Sequence, residues 1–467
     1  MQYKADEHFI HVAGLRDNAL SNLDGVKLRN SWRFPRNIHS YRELYKVFPE
    51  LGSIAKFVED GKAAALLVDK TLSIKKNNHA IHGLRPYQSQ DVHFLHNNGS
   101  TLVFNEPRTG KTPTLIKTLV ALQPKSTIIV TPSSLTFNWA KELKVWAKGQ
   151  FATVVYSGTP KERALLLESY TSLRGFPKVL IVSKDTLKAD KVLQDLPYSV
   201  AIIDEAHFLR NHKTAQSKAI FNLKAETKYA LTGTPAVKHG SDVYGMLHFI
   251  NPKAFPSYWQ FAARYWTIDE GHWGKNVGKV KKHREEELKT LMDMNSVQRR
   301  RSEVMKWLPE KQLQTLSVKM DKKQLKLYDQ MMKTFVASDK DVEIDTMNVL
   351  SQLMRLRQLC LDPRLLGFNV VGAKSKALLE FAEENSEPFI VMTTFSSYFK
   401  LIKPELEKLG KKVGIIDGSI SQKEKFIFIN RIPMSGEVNK EPVSFLQLLC
   451  FQPLKTFAPE IRTVGFF

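Results

Sequence analysis

The chain has 467 residues, and at roughly 150 residues per domain it is expected to form about three units rather than one core. Hydrophobic residues make up 43% and charged residues 25%, near the average for folded soluble proteins, which excludes a disordered chain or a fibrous repeat. Lys and Arg number 69 against 47 Asp and Glu, a formal net charge of +22, so a polyanion is the expected partner, attracted by charge and held partly through counterion release.

Residues 1–80 mix short apolar clusters with basic and aromatic residues, as in Trp32-Arg33-Phe34-Pro35-Arg36, and read as an N-terminal accessory domain. Its opening, MQYKADEHFIHVAG, lacks the apolar run of a signal peptide, and no apolar stretch reaches the roughly 20 residues of a membrane span. Cys360 and Cys450 are the only cysteines and no His or Cys stands at metal-ligand spacing, which excludes a disulfide framework and a zinc site.

From 81 to 250, short apolar β-branched runs alternate with helical stretches. The expected strands are Thr101 to Phe104, Ser126 to Val130, Thr153 to Tyr156, Lys178 to Val182, Val200 to Ile203 and Tyr229 to Leu231. Runs that are apolar throughout, with helices between, predict a parallel sheet covered on both faces, an α/β architecture that binds ligands at the carboxyl ends of its strands.

Three motifs fall at such ends. Asn105-Glu106-Pro107-Arg108-Thr109-Gly110-Lys111-Thr112 follows the first strand and precedes the helical Leu115 to Leu122. In such a loop, backbone amides and the helix N-terminus surround phosphates, Lys111 reaches the β and γ oxygens, and Thr112 ligates magnesium. The pattern G-x-x-x-x-G-K-[ST] is broken at its first position by Asn105, a residue that tolerates left-handed backbone. Next, the buried run Ser199 to Ile203 delivers Asp204-Glu205-Ala206-His207: Asp204 to hold magnesium, Glu205 to orient and deprotonate the attacking water, His207 to sense the γ-phosphate. Third, Leu231-Thr232-Gly233-Thr234-Pro235 puts two hydroxyls, of Thr232 and Thr234, beside the same edge, where they could link ATP state to domain movement.

These motifs, with Leu84-Arg85-Pro86-Tyr87-Gln88 ahead of them, resemble the superfamily-two helicases in their DEAH-box form, and specifically the Swi/Snf-type DNA translocases. The resemblance implies a RecA-like ATPase lobe, Gln88 reading adenine, and Thr131-Pro132 touching the DNA backbone. It implies ATP and magnesium as cofactors and DNA, duplex or branched more than RNA, as partner. Residues 251–370 are expected to be a helical, basic insertion and linker, with Arg299-Arg300-Arg301 either a solvated face or a DNA contact.

Residues 371–467 begin a second α/β pattern with Phe389 to Met392 and Val413 to Ile416, then lose βα repetition, so a partial second RecA-like lobe with an atypical tail is expected. The family's Gln-x-x-Gly-Arg-like motif, whose arginines reach the γ-phosphate, has no counterpart; Arg431 and Arg462 lack its surroundings. An arginine finger contributes roughly 10³ to 10⁵ in rate. Two readings therefore stand: an ATP-driven DNA translocase, and an ATP-regulated DNA-binding protein without efficient turnover. The compact layout points to the cytoplasm of a bacterial or phage-infected cell, a nuclear setting staying open, with no membrane association and any protein partner unspecified.

Overall fold

The computed structural model describes residues 2–14, 20, 23, 25–75, 79–235, 240–271, 274–307, 314–339, 342–346, 348–386, 389–416, 444–447 and 462–465. The chain divides into two compact units, Met1–Leu308 and Pro309–Phe467. The segment 251–308, grouped by its composition with a linker, therefore lies inside the first unit, because its last strand joins that unit's sheet.

The first unit is built on a seven-stranded, wholly parallel sheet in the order β13-β5-β10-β9-β6-β8-β7. Its strands are β5 (Thr101–Val103), β6 (Ser126–Thr131), β7 (Ala152–Tyr156), β8 (Lys178–Ser183), β9 (Pro197–Ile203), β10 (Lys224–Leu231) and β13 (Ser296–Val297). Each expected strand is present. Successive side chains alternate between two cores: Ile128, Val130, Leu180, Val182, Ala201 and Ile203 face one, and Ile129, Val179, Ile181, Val200, Ile202 and Leu231 face the other. Helices cover both faces, which is why the runs read as apolar throughout. The α/β class with a parallel sheet is thus the observed one.

Ahead of this sheet, β1 (Gln2–Ala5), β2 (Phe9–Ala13), β3 (Val26–Lys27) and β4 (Trp32–Pro35) form an antiparallel sheet in the order β1-β2-β4-β3. With the helices Ile38–Val47 and Ala55–Ile74 it encloses its own core around Ile10, Phe34, Tyr41 and Phe57. It is tied to the 251–308 segment by buried charge. Arg264 donates to Glu287 at 2.7 and 3.0 Å and to Ser40 at 3.1 Å; Arg284 pairs with Glu287 at 2.9 Å and with Glu43.

The same segment, expected as a helical, basic insertion, also carries strands. Trp266–Gly271 (β11) and Gly274–Val280 (β12) form an antiparallel hairpin. The residues alternate: Trp266 is buried and Ile268 half-buried while Thr267 and Asp269 are exposed. A period of two makes strands, whatever the local density of lysine. A second hairpin, β14 (Val336–Asp339) with β15 (Val342–Asp345), interrupts the helical stretch of the second unit between helices Lys322–Thr334 and Val349–Leu361.

The second unit carries a parallel sheet in the order β17-β18-β16-β19. Two of its strands, β16 (Phe389–Met392) and β17 (Val413–Ile416), were expected; the others, β18 (Ser444–Gln447) and β19 (Arg462–Gly465), come from the tail that shows no βα repetition in sequence. Asp417-Gly418-Ser419, Leu308 to Lys311 and Arg431 lie outside the described residues.

Candidate nucleotide and nucleic-acid site

The order β5-β10-β9-β6 sets the site, because neighbouring strands deliver the phosphate loop, Thr232-Gly233-Thr234, the acidic box and Thr131-Pro132 side by side at one edge. A β-carbon on Gly233 would come within 2.8 Å of Pro107 Cδ, so the second of these turns lies directly against the first.

The phosphate loop runs from β5 into the helix Lys111–Leu122, with Gly110 at the cap in left-handed geometry, φ 84°. A β-carbon there would also sit 2.0 Å from Gln88 Nε2. Glycine is thus required twice, by conformation and by space. Gln88 itself is buried: its Nε2 donates to Thr109 O at 3.0 Å and its Oε1 accepts from Arg85 N at 2.9 Å. Tyr87 OH donates to the same carbonyl at 3.0 Å. The helix Pro86–Asn98 is in this way fastened to the loop. Lys111 Nζ donates to Asn105 O at 2.8 Å and Glu106 O at 3.3 Å, and Thr112, one residue on, is half-buried.

The left-handed residue in the first half of the loop is Arg108, φ 70°, whereas Asn105 does not have positive φ. Asn105 is instead fully buried, and its Nδ2 donates to Asp91 Oδ2 at 2.7 Å. The other oxygen of that carboxylate accepts from Arg299 Nε at 2.9 Å. The backbone beyond β13 completes the clamp: Glu106 N donates to Arg299 O at 2.9 Å, and Arg301 N to Glu106 Oε2 at 2.8 Å.

Of the three arginines expected as a basic face, Arg299 is therefore turned inward on Asp91 and Gln90. Arg301 lies beside Glu106 at 3.5 Å, and exposed Arg300 starts a short helix with Glu303 at its third position. Asp91 carries no motif signal. A lone acid on the apolar side of PYQSQDVHFL was the available hint.

At the end of β9, Asp204 N donates to Val130 O at 2.8 Å. Asp204 Oδ2 accepts from Trp139 Nε1 at 2.9 Å and Thr131 Oγ1 at 3.2 Å, and Oδ1 accepts from Glu205 N at 2.9 Å. Burial pushes its pKa up and the Glu205 charge adds to this, against the Trp139 bond and Lys111. Thr131 is thus spent on the carboxylate; Pro132 is half-buried, and Ser133 and Ser134 are the exposed residues of that turn. Trp139 is thus a direct partner of the acidic box.

Glu205 is itself left-handed, φ 51°. His207 Nδ1 lies 3.2 Å from Glu205 Oε2 and 3.4 Å from Thr232 Oγ1, which in turn accepts from Thr234 N at 3.1 Å. A continuous polar chain links the acidic box to the third motif. Among the described residues no cluster of three or more His, Cys, Asp or Glu could hold a metal unaided, and no helix is long and apolar enough to cross a membrane.

A family model described as the SNF2-related domain matches residues 66–365. An uncharacterized ATP-dependent helicase of Mycoplasma pneumoniae is 27% identical over 381 residues, 78% of this chain and 35% of its own length. A DNA repair and recombination protein RAD54-like of Drosophila erecta is 27% identical over 336 residues, covering 65% of this chain and 42% of its own. The chain thus spans less than half the length of these relatives. The Sulfolobus solfataricus SWI2/SNF2 ATPase core in complex with dsDNA aligns over 80% of this chain and 79% of its own, at 22% identity and a TM-score of 0.43. With well over half of its residues matched by one family model, and with the phosphate loop and acidic box at the ends of the two strands that flank β10, this chain belongs to the SNF2-related domain family.

Proposed function

We propose that the chain is the ATP-hydrolysing motor of a DNA translocase or helicase-like remodeller, acting on duplex or branched DNA. The observation that carries this reading is the convergence of Lys111, Asp204, Glu205, His207 and Thr232 at the carboxyl ends of β5, β9 and β10, bridged by the Glu205–His207–Thr232 chain.

Lys111 exchanges two loop carbonyls for β and γ phosphate oxygens when ATP enters, while Gly110 and the helix N-terminus present amides to the same phosphates. Asp204 and Thr112 fit a magnesium ion. Asp204 and Glu205 are adjacent carboxylates whose charges oppose each other in a buried place, so a divalent cation relieves them both. Magnesium, when bound, neutralises charge on the phosphate oxygens. Glu205 orients and deprotonates the attacking water, and His207, between Glu205 and Thr232, passes the state of the phosphate to Thr232-Gly233-Thr234, which reads as a DEAH-box arrangement. Gln88 contributes to adenine recognition by placing the loop through Thr109. Basic residues outside the site, Arg300 among them, supply the salt-dependent grip on DNA.

The test is ATP hydrolysis by the purified protein with and without duplex DNA, branched DNA and RNA. Hydrolysis that duplex DNA stimulates, and that Lys111→Ala or Glu205→Gln removes, supports the motor. ATP-dependent DNA affinity with no phosphate release under any nucleic acid would leave the regulatory reading in its place.

A further inference from the structure

Among the described residues, five non-glycine residues have left-handed backbone: Arg108, Gln123, Lys148, Glu205 and Phe335. Gln123, Lys148 and Phe335 are C-caps of the helices Lys111–Leu122, Thr136–Ala147 and Lys322–Thr334, where that conformation is ordinary. The other two lie in the nucleotide site, one in the phosphate loop and one in the acidic box. Strained backbone of this kind persists where the surroundings impose it, and it concentrates at functional sites.

Arg108 is strained electrostatically as well. Its side chain is half-buried beside Arg301, and burial and that neighbouring charge both push its pKa down. Among the described residues it has neither an ion-pair nor a hydrogen-bond partner. Glu106, two residues earlier in the loop, is taken by the Arg301 backbone amide and side chain. The loop that presents Arg108 is held from both directions, by Arg299 O on Glu106 N and by Tyr87 and Gln88 on Thr109 O. A cation fixed in a rigid loop, next to a like charge and without a counter-ion, is half of an anion site.

We propose that Arg108 contacts the phosphate chain of the bound nucleotide directly, supplying a guanidinium in cis from the phosphate loop. This inference rests on the nucleotide reading of the loop and adds a residue to it. A planar guanidinium forms paired hydrogen bonds with phosphate oxygens that Lys111 cannot duplicate. Glycine at this position would satisfy the backbone without strain, so the backbone alone does not call for an arginine.

Binding of Mg-mant-ATP, mant-ADP and mant-AMP, measured by fluorescence on the full chain, tests this with Arg108→Gly and Arg108→Asn. Both substitutes accept left-handed backbone and lack the charge. Each variant should lose about tenfold or more in affinity for ATP and ADP, with AMP affinity and nucleotide-free DNA affinity close to those of the wild type. Wild-type ATP affinity in either variant overturns the proposal. So does an equal loss for AMP, or a loss confined to DNA, which would assign Arg108 to the DNA backbone. A wild-type protein that binds no Mg-ATP sinks the nucleotide reading itself and this proposal with it.

Discussion

Asp91 and Asp204 are both buried carboxylates of the first unit, but their surroundings compensate them differently. Asp91, beneath the phosphate loop, has a guanidinium at 2.8 Å and an amide from Asn105, so its charge is matched within the protein. Asp204, at the tip of β9, has hydrogen-bond donors but, among the described residues, no ion pair, with a second acid as its sequence neighbour and Lys111 as a nearby cation. The first arrangement is closed and holds a loop in place. The second has less compensating positive charge within the protein, as the magnesium proposed for it would require. Glu287 at the N-terminal junction is a more saturated case than Asp91: burial would raise its pKa, yet Arg264 and Arg284 together hold it below the ordinary value.

This contrast can be broken most sharply by rate. Asp204→Asn and Glu205→Gln are expected to reduce DNA-stimulated hydrolysis by roughly 10² to 10⁴ while leaving the nucleotide-free melting temperature nearly unchanged. A large loss of stability in Asp204→Asn would place Asp204 with Asp91 instead. Arg299→Met should do the reverse, costing about 3 to 5 kcal/mol in denaturant unfolding because it strands a buried carboxylate. The double variant Arg299→Met with Asp91→Leu should recover much of that loss; no recovery would mean the pair is not what holds the loop.

Glu287→Gln is expected to cost about 3 kcal/mol at pH 7 for the same reason. Its pH dependence has a defined sign. A carboxylate with a depressed folded pKa adds stability above its ordinary value of 4.5, and that stability disappears as pH falls through the folded value. Wild type and variant should therefore converge in acid, and a gap that persists below that range would assign the effect to packing. The smallest effect belongs to Thr232→Val, which removes the hydroxyl shared by His207 and Thr234 N. About 1 kcal/mol, or roughly a fivefold fall in DNA-stimulated turnover, is expected, with basal turnover largely kept; equal falls in both would show that the link carries no DNA signal.

The parallel sheet was legible because Val, Ile and Leu runs such as Ile128-Ile129-Val130 need burial on both faces, a property of the local sequence. The positions of Lys111, Asp204 and Glu205 were legible for the same reason, because each lies in or beside the turn that follows an apolar strand. Asp91 and Arg299 were opaque because they are 208 residues apart and neither belongs to a pattern. Two-residue β13 is too short to show a period, and the hairpin β11–β12 was masked by lysines on its exposed face. Arg299-Arg300-Arg301 shows the limit of reading charge by count: three adjacent arginines have three different surroundings, one facing inward, one exposed and one beside an acid.

The clamp formed by β13 and Arg301 also bears on how the protein acquires its activity during folding. Glu106 and Arg301 are 195 residues apart, and the chain between them includes the rest of the central sheet and the whole β11–β12 segment. Closing so long a loop delays the contact that fixes the phosphate loop until most of the unit has formed. A refolding chain should recover its helical signal first and its affinity for ATP last. Nascent or partly folded molecules would then be unable to bind ATP.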